Sequence, residues 1–216
     1  AVVRTEEQGE FKVHVPNTGR CGEIFLPHTP VLLTKAANPK RKYPYSLYGA
    51  YKGDTLIQID SAAANKLAAE ALSTGIIGEL AQAENVQREK PFGTSRFDFR
   101  FQLGDKLCYM EVKGVTLEID GVAKFPDAPT ERGVRHLREL IQAAAEGLGA
   151  YVLFVVQMSG TDYFTPNEER DPAFAAALRD AAHSGVTVLA YDAVVTPEEV
   201  RLNKEIPVKL EDKNGR

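Results

Sequence analysis

The chain has only two cysteines, Cys21 and Cys108, among its 216 residues. Two cysteines cannot form the disulfide framework of a small secreted protein, and neither has the His or Cys neighbours of a zinc site. No apolar run approaches the ~20 residues that a membrane-spanning helix needs, and we expect no signal peptide at Ala1. These absences predict a protein of the reducing cytoplasm that has no membrane partner.

The chain also lacks a surplus of basic residues. It has 26 Lys and Arg against 30 Asp and Glu, a formal net charge of −4. This excludes a protein covered in positive potential, but a local basic groove can still bind phosphate on an acidic molecule. Any affinity for nucleic acid should then be modest and sensitive to salt. The length allows one or two domains with a sizeable core.

Short strands separated by Pro and Gly fill the first 60 residues. The pattern predicts strands at 11–15, 24–26, 31–34, 43–51 and 55–59. Several short strands at this spacing favour a small β-barrel, and the five-stranded oligonucleotide-binding (OB) barrel is one candidate. We place the end of this first domain near Asp60, so that it spans residues 1–60.

From residue 61 the pattern changes to helices alternating with buried strands. Helices are predicted at 61–74, at 130–146 and from Asp171 to the stop at Gly185, with Ser61, Thr130 and Asp171 as N-caps. Apolar runs at 150–157 and 186–191 predict parallel strands, and the first reads as buried on both faces. A further strand is expected at 85–89. The polar residues from Asn203 onward should form a loose tail with one edge strand at 207–210.

The segment 94–117, TSRFDFRFQLGDKLCYMEVKGVTL, carries the main candidate site. It predicts two strands joined by a turn at Gly104-Asp105. Alternation along the second strand puts Glu111 and Lys113 on the same face, and Asp98 lies on the first strand. Alternation along the first strand also predicts two opposite sides, with Phe97, Phe99 and Phe101 on one and Arg96, Asp98 and Arg100 on the other.

Asp98, Glu111 and Lys113 suit phosphate chemistry if they converge. The two carboxylates can hold a hard divalent cation, Mg²⁺ or Mn²⁺, together with a main-chain carbonyl and waters. Such a cation lowers the pKa of a bound water and neutralises phosphate charge, and Lys113 can orient that water or stabilise the developing negative charge. The alternative is a surface ion pair contributing at most ~1 kcal/mol.

Three helical residues are secondary candidates. Glu70 lies at the edge of the apolar stripe of the helix at 61–74, where its carboxylate can reach an adjacent site or simply be solvated. Arg132 and His136 are one turn apart and can contact a phosphate together, or can pair instead with Glu131 or Glu139. His136 has no companion His or Cys, so the sequence gives no support for zinc.

A basic and aromatic segment, NPKRKYPYSLYGAY at 38–51, is the candidate nucleic-acid groove of the first domain. Lys40, Arg41 and Lys42 can neutralise phosphates while the adjacent Tyr43 stacks on a base. Tyrosine is also a common strand residue, and cations in a loop are usually solvated. Both readings stay open on the sequence alone.

Several motifs together resemble one family along nearly the whole chain, to about Leu202. They are VHVPNTGR, KRKYP, NKLAAEA, SRFDF, YMEVKGVTL, FPDAPTERGVRHLREL and LAY, and they resemble the sugar fermentation stimulation protein A (SfsA) family. The resemblance implies an OB-like barrel at 1–60 and a PD-(D/E)XK nuclease-like α/β domain at 61–216, with a central mixed sheet flanked by helices. It also implies DNA binding without sequence specificity and a link to the expression of sugar-utilisation genes.

The same resemblance assigns roles to residues. It implies that Asp98 and Glu111 are metal ligands, that Lys113 is the catalytic lysine, and that Glu70 is the family's helix glutamate and a further member of the catalytic set. The residues expected to contact DNA are Arg20, Lys40, Arg41, Lys42, Tyr43, Arg96, Arg132 and His136. The family begins with a basic, apolar strand before the region matching Phe11, and we expect the barrel to lack that strand here. Cys21, Gly114 and Pro129 depart from the usual residues, but no charged site residue is lost.

Three functions are consistent with these observations. The first is a cytoplasmic DNA-binding protein, at the nucleoid, that regulates sugar metabolism. The second is an active Mg²⁺- or Mn²⁺-dependent DNA phosphodiesterase, and the third is an α/β protein whose ion cluster only braces the sheet. The choice between single- and double-stranded DNA stays open, as does a homodimer.

Overall fold

Five short strands form the N-terminal part of the protein. In the computed structural model, which describes residues 1–17 and 19–211, these strands are β1 (Val2–Thr5), β2 (Gly9–Lys12), β3 (Val31–Lys35), β4 (Tyr45–Lys52) and β5 (Thr55–Gln58). β1 and β2 form an antiparallel hairpin, and β3, β4 and β5 form an antiparallel sheet. A bridge between His14 and Ser46 joins the two groups. Val13, Leu47 and Ile59 are buried together beneath them.

Two N-terminal expectations were wrong. No strand was predicted before Phe11, but Val2–Thr5 forms β1 and pairs with β2. The apolar residues 24–26 form no strand, because the N–H groups of Ile24 and Phe25 both donate to the carbonyl of Cys21 and close a turn. Cys21 has a positive φ of 45°, which turns the chain at this point.

The structure describes three α-helices and nine further strands between residues 59 and 211. In chain order they are α1 (Ala63–Thr74), β6 (Ala83–Phe92), β7 (Ser95–Leu103), β8 (Lys106–Val115), β9 (Leu117–Ile119), β10 (Val122–Phe125), α2 (Glu131–Ala145), β11 (Gly149–Val156), β12 (Tyr163–Pro166), α3 (Pro172–His183), β13 (Thr187–Val195) and β14 (Val200–Glu205). A single 3₁₀ turn covers Gly78–Leu80.

A six-stranded mixed sheet forms the centre, in the order β14-β13-β11-β8-β7-β6. β8, β11 and β13 run parallel, whereas β6, β7 and β14 pair antiparallel with their neighbours. β11 is buried on both faces, as its apolar run predicted: Val152 and Phe154 pack on one face, and Leu153 and Val155 on the other. The expected turn at Gly104 is also present, with φ +58°.

Helices cover both faces of this sheet. α1 packs Leu67 and Leu72 against one face, and α2 and α3 cover the other. The predicted caps Thr130 and Asp171 accept hydrogen bonds from the N–H groups of Gly133 and Phe174. The predicted cap Ser61 does not cap α1, because its hydroxyl donates to the carbonyl of Pro16 instead.

The C-terminal expectations need correction as well. Asn203 does not begin a loose tail, because Val200–Glu205 forms the edge strand β14. Residues 212–216 of the predicted tail lie outside the described residues. The predicted edge strand at 207–210 is reduced to one bridge, between Val208 and Phe164. A small sheet of β12, β10 and β9, which the sequence analysis missed, lies beside the main one.

Hydrogen bonds, most of them buried or partly buried, join the two parts of the chain. The amide of Gln157, which follows β11, donates to the carbonyl and side-chain oxygens of Gln58 and to the carbonyl of Asp60. The carboxylate of Asp127 accepts from the N–H groups of Arg20 and Cys21. Among the described residues, no helix has both the length and the apolar character needed to cross a membrane.

Candidate metal and nucleic-acid site

Asp98 lies where β7 stops following β8. The two strands pair from Leu103–Lys106 to Phe99–Met110, and the pairing ends there. Phe99 packs on the α1 side of the sheet but Phe97 packs on the α2 side, so alternation breaks at Asp98. The prediction that Phe97, Phe99 and Phe101 share one side was therefore wrong.

The break places the Asp98 carboxylate against β8. Its Oδ2 accepts the N–H of Val112 at 2.7 Å, and its Oδ1 accepts the side-chain amide of Asn65, on α1, also at 2.7 Å. Sequence reasoning missed Asn65 as a site residue, although it is the first polar residue of the NKLAAEA motif. Asp98 is thus fixed from both the sheet and the helix.

Glu111 occupies the next strand and is 4% exposed. Its Oε1 accepts from Lys113 Nζ at 2.6 Å and from His136 Nδ1 at 2.5 Å. The prediction that Glu111 and Lys113 share a face is confirmed by this contact. Its Oε2 is buried and has no hydrogen-bond partner among the described residues. One carboxylate oxygen is therefore held by two donors while the other is left free.

Burial and neighbouring charges shift the pKa values of the two carboxylates in opposite directions. Burial raises the pKa of Asp98 from 3.8 to about 6, and the negative charge of Glu111 contributes to the increase. Burial would also raise the pKa of Glu111, but the hydrogen bonds and charges of His136 and Lys113 hold it below its ordinary value. The two carboxylates thus destabilise each other as anions, which a cation between them would relieve.

A hard divalent cation fits these residues. Glu111 Oε2 is an unpaired buried acceptor, and each oxygen of Asp98 accepts only one hydrogen bond. Within residues 1–17 and 19–211, no three His, Cys, Asp or Glu side chains are arranged so that they could hold a metal ion by themselves. The rest of the shell would come from a main-chain carbonyl, water and a phosphate, which is how Mg²⁺ is commonly held.

His136 is not placed to contact DNA, contrary to expectation. It is 2% exposed on the sheet side of α2, and its Nε2 lies 3.3 Å from Arg132 Nε. Because a guanidinium can only donate, Nε2 must accept and Nδ1 must carry the hydrogen that reaches Glu111. His136 therefore orients Glu111, and Arg132 orients His136.

The remaining candidates lie outside the carboxylate cluster. Glu70 is exposed on α1, and within the described residues its carboxylate has no hydrogen bond or ion pair. α1 instead reaches the site through Asn65, 1.4 turns earlier, which puts Glu70 on a different side of the helix. The structure does not bring Glu70 to Asp98 and Glu111.

The predicted DNA-contacting residues of the N-terminal part are exposed or half-buried. Lys42 lies over the ring of Tyr43 at 5.3 Å, and Arg41 donates to Ser46, so this turn is internally organised. Arg20 is exposed on the loop held by Asp127. That loop lines a junction cavity of about 380 Å³ that also reaches Gly114, the residue after Lys113, and Thr130, the cap of α2. Arg96 and Arg132 are exposed.

The architecture and the site define a class of protein. A β-rich N-terminal unit packs on a mixed sheet flanked by three helices, and that sheet carries a buried carboxylate pair with a lysine. Two family models match the chain: the SfsA N-terminal OB domain at residues 1–59, and the sugar fermentation stimulation protein RE domain at 62–199. The chain therefore belongs to the sugar fermentation stimulation protein (SfsA) family, as the motifs indicated, and its N-terminal OB domain is confirmed.

Individual relatives agree with this assignment. The sugar fermentation stimulation protein homolog of Thermoanaerobacter sp. (strain X514) is 50% identical over 92% of this chain and 86% of its own length. The homolog of Clostridium botulinum (strain Loch Maree / Type A3) is 48% identical over 97% of this chain and 91% of its own. Among solved structures, Pyrococcus furiosus SfsA in complex with Ca²⁺ superposes with a TM-score of 0.87 at 25% identity, covering 96% of this chain and 94% of that one.

Proposed function

We propose that this protein binds DNA, without sequence specificity, at a divalent-cation site formed by Asp98 and Glu111. The observation that carries the proposal is the divided Glu111 carboxylate: Oε1 receives two hydrogen bonds, whereas the buried Oε2 receives none. An unpaired buried carboxylate oxygen is costly unless something binds it. The complex of P. furiosus SfsA with Ca²⁺ supports a cation as that partner.

The cation is proposed to be Mg²⁺ or Mn²⁺. When bound, it would supply positive charge and Lewis acidity toward a phosphate oxygen. Asn65 and the N–H of Val112 hold Asp98 in place for it, and His136 holds Glu111. Since the protein contributes only two carboxylates, a DNA phosphate is a suitable further ligand.

Sequence-independent binding follows from the kind of residues near the site. Arg20, Arg96 and Arg132 are exposed cations, suited to phosphates rather than to base edges. The turn at Lys40–Tyr43 offers cations beside an aromatic ring, a combination that binds DNA of any sequence. The relatives are named for stimulation of sugar fermentation, and we propose a regulatory role exerted on DNA in the cytoplasm, at the nucleoid.

DNA cleavage is the second candidate function, and Lys113 favours it. Its ammonium is 2.6 Å from Glu111 Oε1 and half-buried beside the proposed cation ligands. An amine there can hydrogen bond an attacking water or the negative charge that develops on a phosphate. DNA cleavage requires Asp98, Glu111 and Lys113 together, whereas binding of the cation at this cluster requires only the two carboxylates.

A comparison of three divalent cations with EDTA separates the two functions. Labelled duplex and single-stranded DNA and supercoiled plasmid would be incubated with the protein in Ca²⁺, Mn²⁺, Mg²⁺ or EDTA. We expect cation-dependent retardation of DNA that Asp98→Ala abolishes, while Asp105→Ala, in the exposed turn of the same hairpin, retains it. The cation site would be refuted if neither EDTA nor Asp98→Ala weakened DNA binding relative to the wild-type protein with a divalent cation. Nicking in Mg²⁺ or Mn²⁺ that Lys113→Ala loses would establish cleavage.

A further inference from the structure

The exposed face of α2 carries three arginines whose guanidinium groups are not neutralised. Arg132, Arg135 and Arg138 are all exposed, and within the described residues none of them pairs with a carboxylate. α2 holds two acidic residues, Glu131 and Glu139, and among the described residues Glu131 forms no ion pair with the arginines. Arg135 and Arg138 were not among the candidates from the sequence.

Glu139 cannot neutralise this face, because it points the other way. It is 9% exposed, and its Oε1 accepts from the N–H and the hydroxyl of Thr94, at the start of β7. Burial would raise its pKa, but the neighbouring Ser95 hydroxyl and the two donors of Thr94 hold that pKa below the ordinary value. The carboxylate thus ties α2 to the strand that carries Asp98 and leaves the outer face cationic.

The arginine row begins at the site and leads away from it. Arg132 contacts His136, which contacts Glu111. Residues three apart on a helix rise about 4.5 Å and turn about 60° backward, so Arg135 and Arg138 continue the row across the solvent face. Arg132 lies in the first turn of α2, where the helix dipole adds positive potential and would favour an acidic residue if stability alone mattered.

We propose that Arg132, Arg135 and Arg138 form the track along which the sugar-phosphate backbone of DNA lies, leading one phosphate to Asp98 and Glu111. This inference rests on the proposed function and specifies its contact surface. On a molecule of net charge −4, a row of three arginines that form no ion pair among the described residues is a local anion-binding surface. Arginine is also suited to it because its planar guanidinium forms paired hydrogen bonds with phosphate.

The test is the salt dependence of DNA binding by a double variant, Arg135→Gln with Arg138→Gln. Anisotropy of a labelled duplex would be measured in Ca²⁺ over a series of salt concentrations. Each lost phosphate contact should reduce the slope of log K against log salt by about 0.9 on duplex, so the pair should reduce it by about 2. A labelled single strand would be measured in parallel, where the expected loss is about 0.7 per contact.

The matched control removes two cations elsewhere. Arg201 and Lys204 are exposed on β14, the opposite edge strand, and changing both to Gln alters net charge equally. We expect the control to keep the wild-type slope. An unchanged slope in the α2 variant, or an equal change in the control, overturns the track while leaving the proposed function intact. Absence of DNA binding by the wild-type protein overturns both. Glutamine favours helix, and thermal unfolding of each variant checks that the fold is retained.

Discussion

His136 Nδ1 lies 2.5 Å from Glu111 Oε1, on the buried side of α2. The same imidazole accepts from Arg132 through Nε2, so its hydrogen is directed at the carboxylate. This contact joins α2 to the middle of the sheet. Lys113 donates to the same Oε1, so both donors leave Oε2 of Glu111 available to a cation.

Loss of the imidazole should therefore weaken cation binding. His136→Ala is expected to lower affinity for Ca²⁺ about 10- to 100-fold, the usual effect of removing a residue that orients a metal ligand. Calorimetric titration with Ca²⁺ measures this directly. His183→Ala, at the end of α3 and remote from the cluster, is the control. Unchanged affinity in His136→Ala, in a variant that still unfolds cooperatively, would show that Glu111 needs no such support.

Lys113 should act on the cation in the opposite direction. Its ammonium group forms an ion pair with Glu111 Oε1, and its positive charge repels a divalent cation bound nearby. Lys113→Met is therefore expected to bind Ca²⁺ several-fold more tightly, and any DNA cleavage by the wild type should fall about 10²- to 10³-fold. Calorimetry and plasmid nicking measure the two effects separately. Weaker Ca²⁺ binding would show that Lys113 positions Glu111 more than it repels the cation.

Local patterns predicted the parts of the site that depend on one element. Glu111 and Lys113 share a face because β8 stays regular, and Thr130 caps α2 because a cap needs only the residues beside it. The burial of His136 had a signal too: it lies one turn before the buried Leu140 on the same side of the helix.

Features that depend on the meeting of elements could not be predicted in this way. The break at Asp98 arises where β7 leaves β8, and the alternating phenylalanines give no sign of it. Asn65 reaches Asp98 only because α1 packs on that face of the sheet. Short strands form where a pairing partner is present, whatever their own composition. This holds for β1 and for the small sheet of β9, β10 and β12.

The junction between the two parts of the chain should depend on Gln157. This side chain is 1% exposed and donates to acceptors of Gln58 and Asp60. Gln157→Ala removes the donor to the buried side-chain oxygen of Gln58, whereas the carbonyl of Asp60 keeps the N–H of Ala63. We expect the free energy of unfolding to fall by about 1–3 kcal/mol. Urea unfolding measures this free energy. The control is Gln142→Ala, on the exposed face of α2, which should stay within about 0.5 kcal/mol of the wild type. Equal stabilities of the two variants would contradict the role assigned to Gln157.

Stability in EDTA should depend on pH through Asp98. Its pKa is raised from 3.8 to about 6 in the folded state, so the protonated carboxyl is the form that the fold favours. Its contribution to the free energy of unfolding is fully present below pH 3.8 and is lost as pH rises through 6. A difference of two pKa units corresponds to about 3 kcal/mol.

Asp98→Asn cannot lose this stability, because asparagine stays uncharged, although it gives up one accepted hydrogen bond worth about 1 kcal/mol. We therefore expect the free energy of unfolding of Asp98→Asn, relative to that of the wild type, to rise by about 2–3 kcal/mol between pH 4 and pH 7.5. Urea unfolding at each pH measures this difference. Asp105→Asn, in the exposed hairpin turn, should show no such change.

Saturating Ca²⁺ should make the wild type more stable than Asp98→Asn at pH 7.5. A cation that binds only the folded wild type stabilises it in proportion to the logarithm of the cation concentration. A difference in unfolding free energy that stays constant with pH would mean that Asp98 is ionised in the fold at little cost.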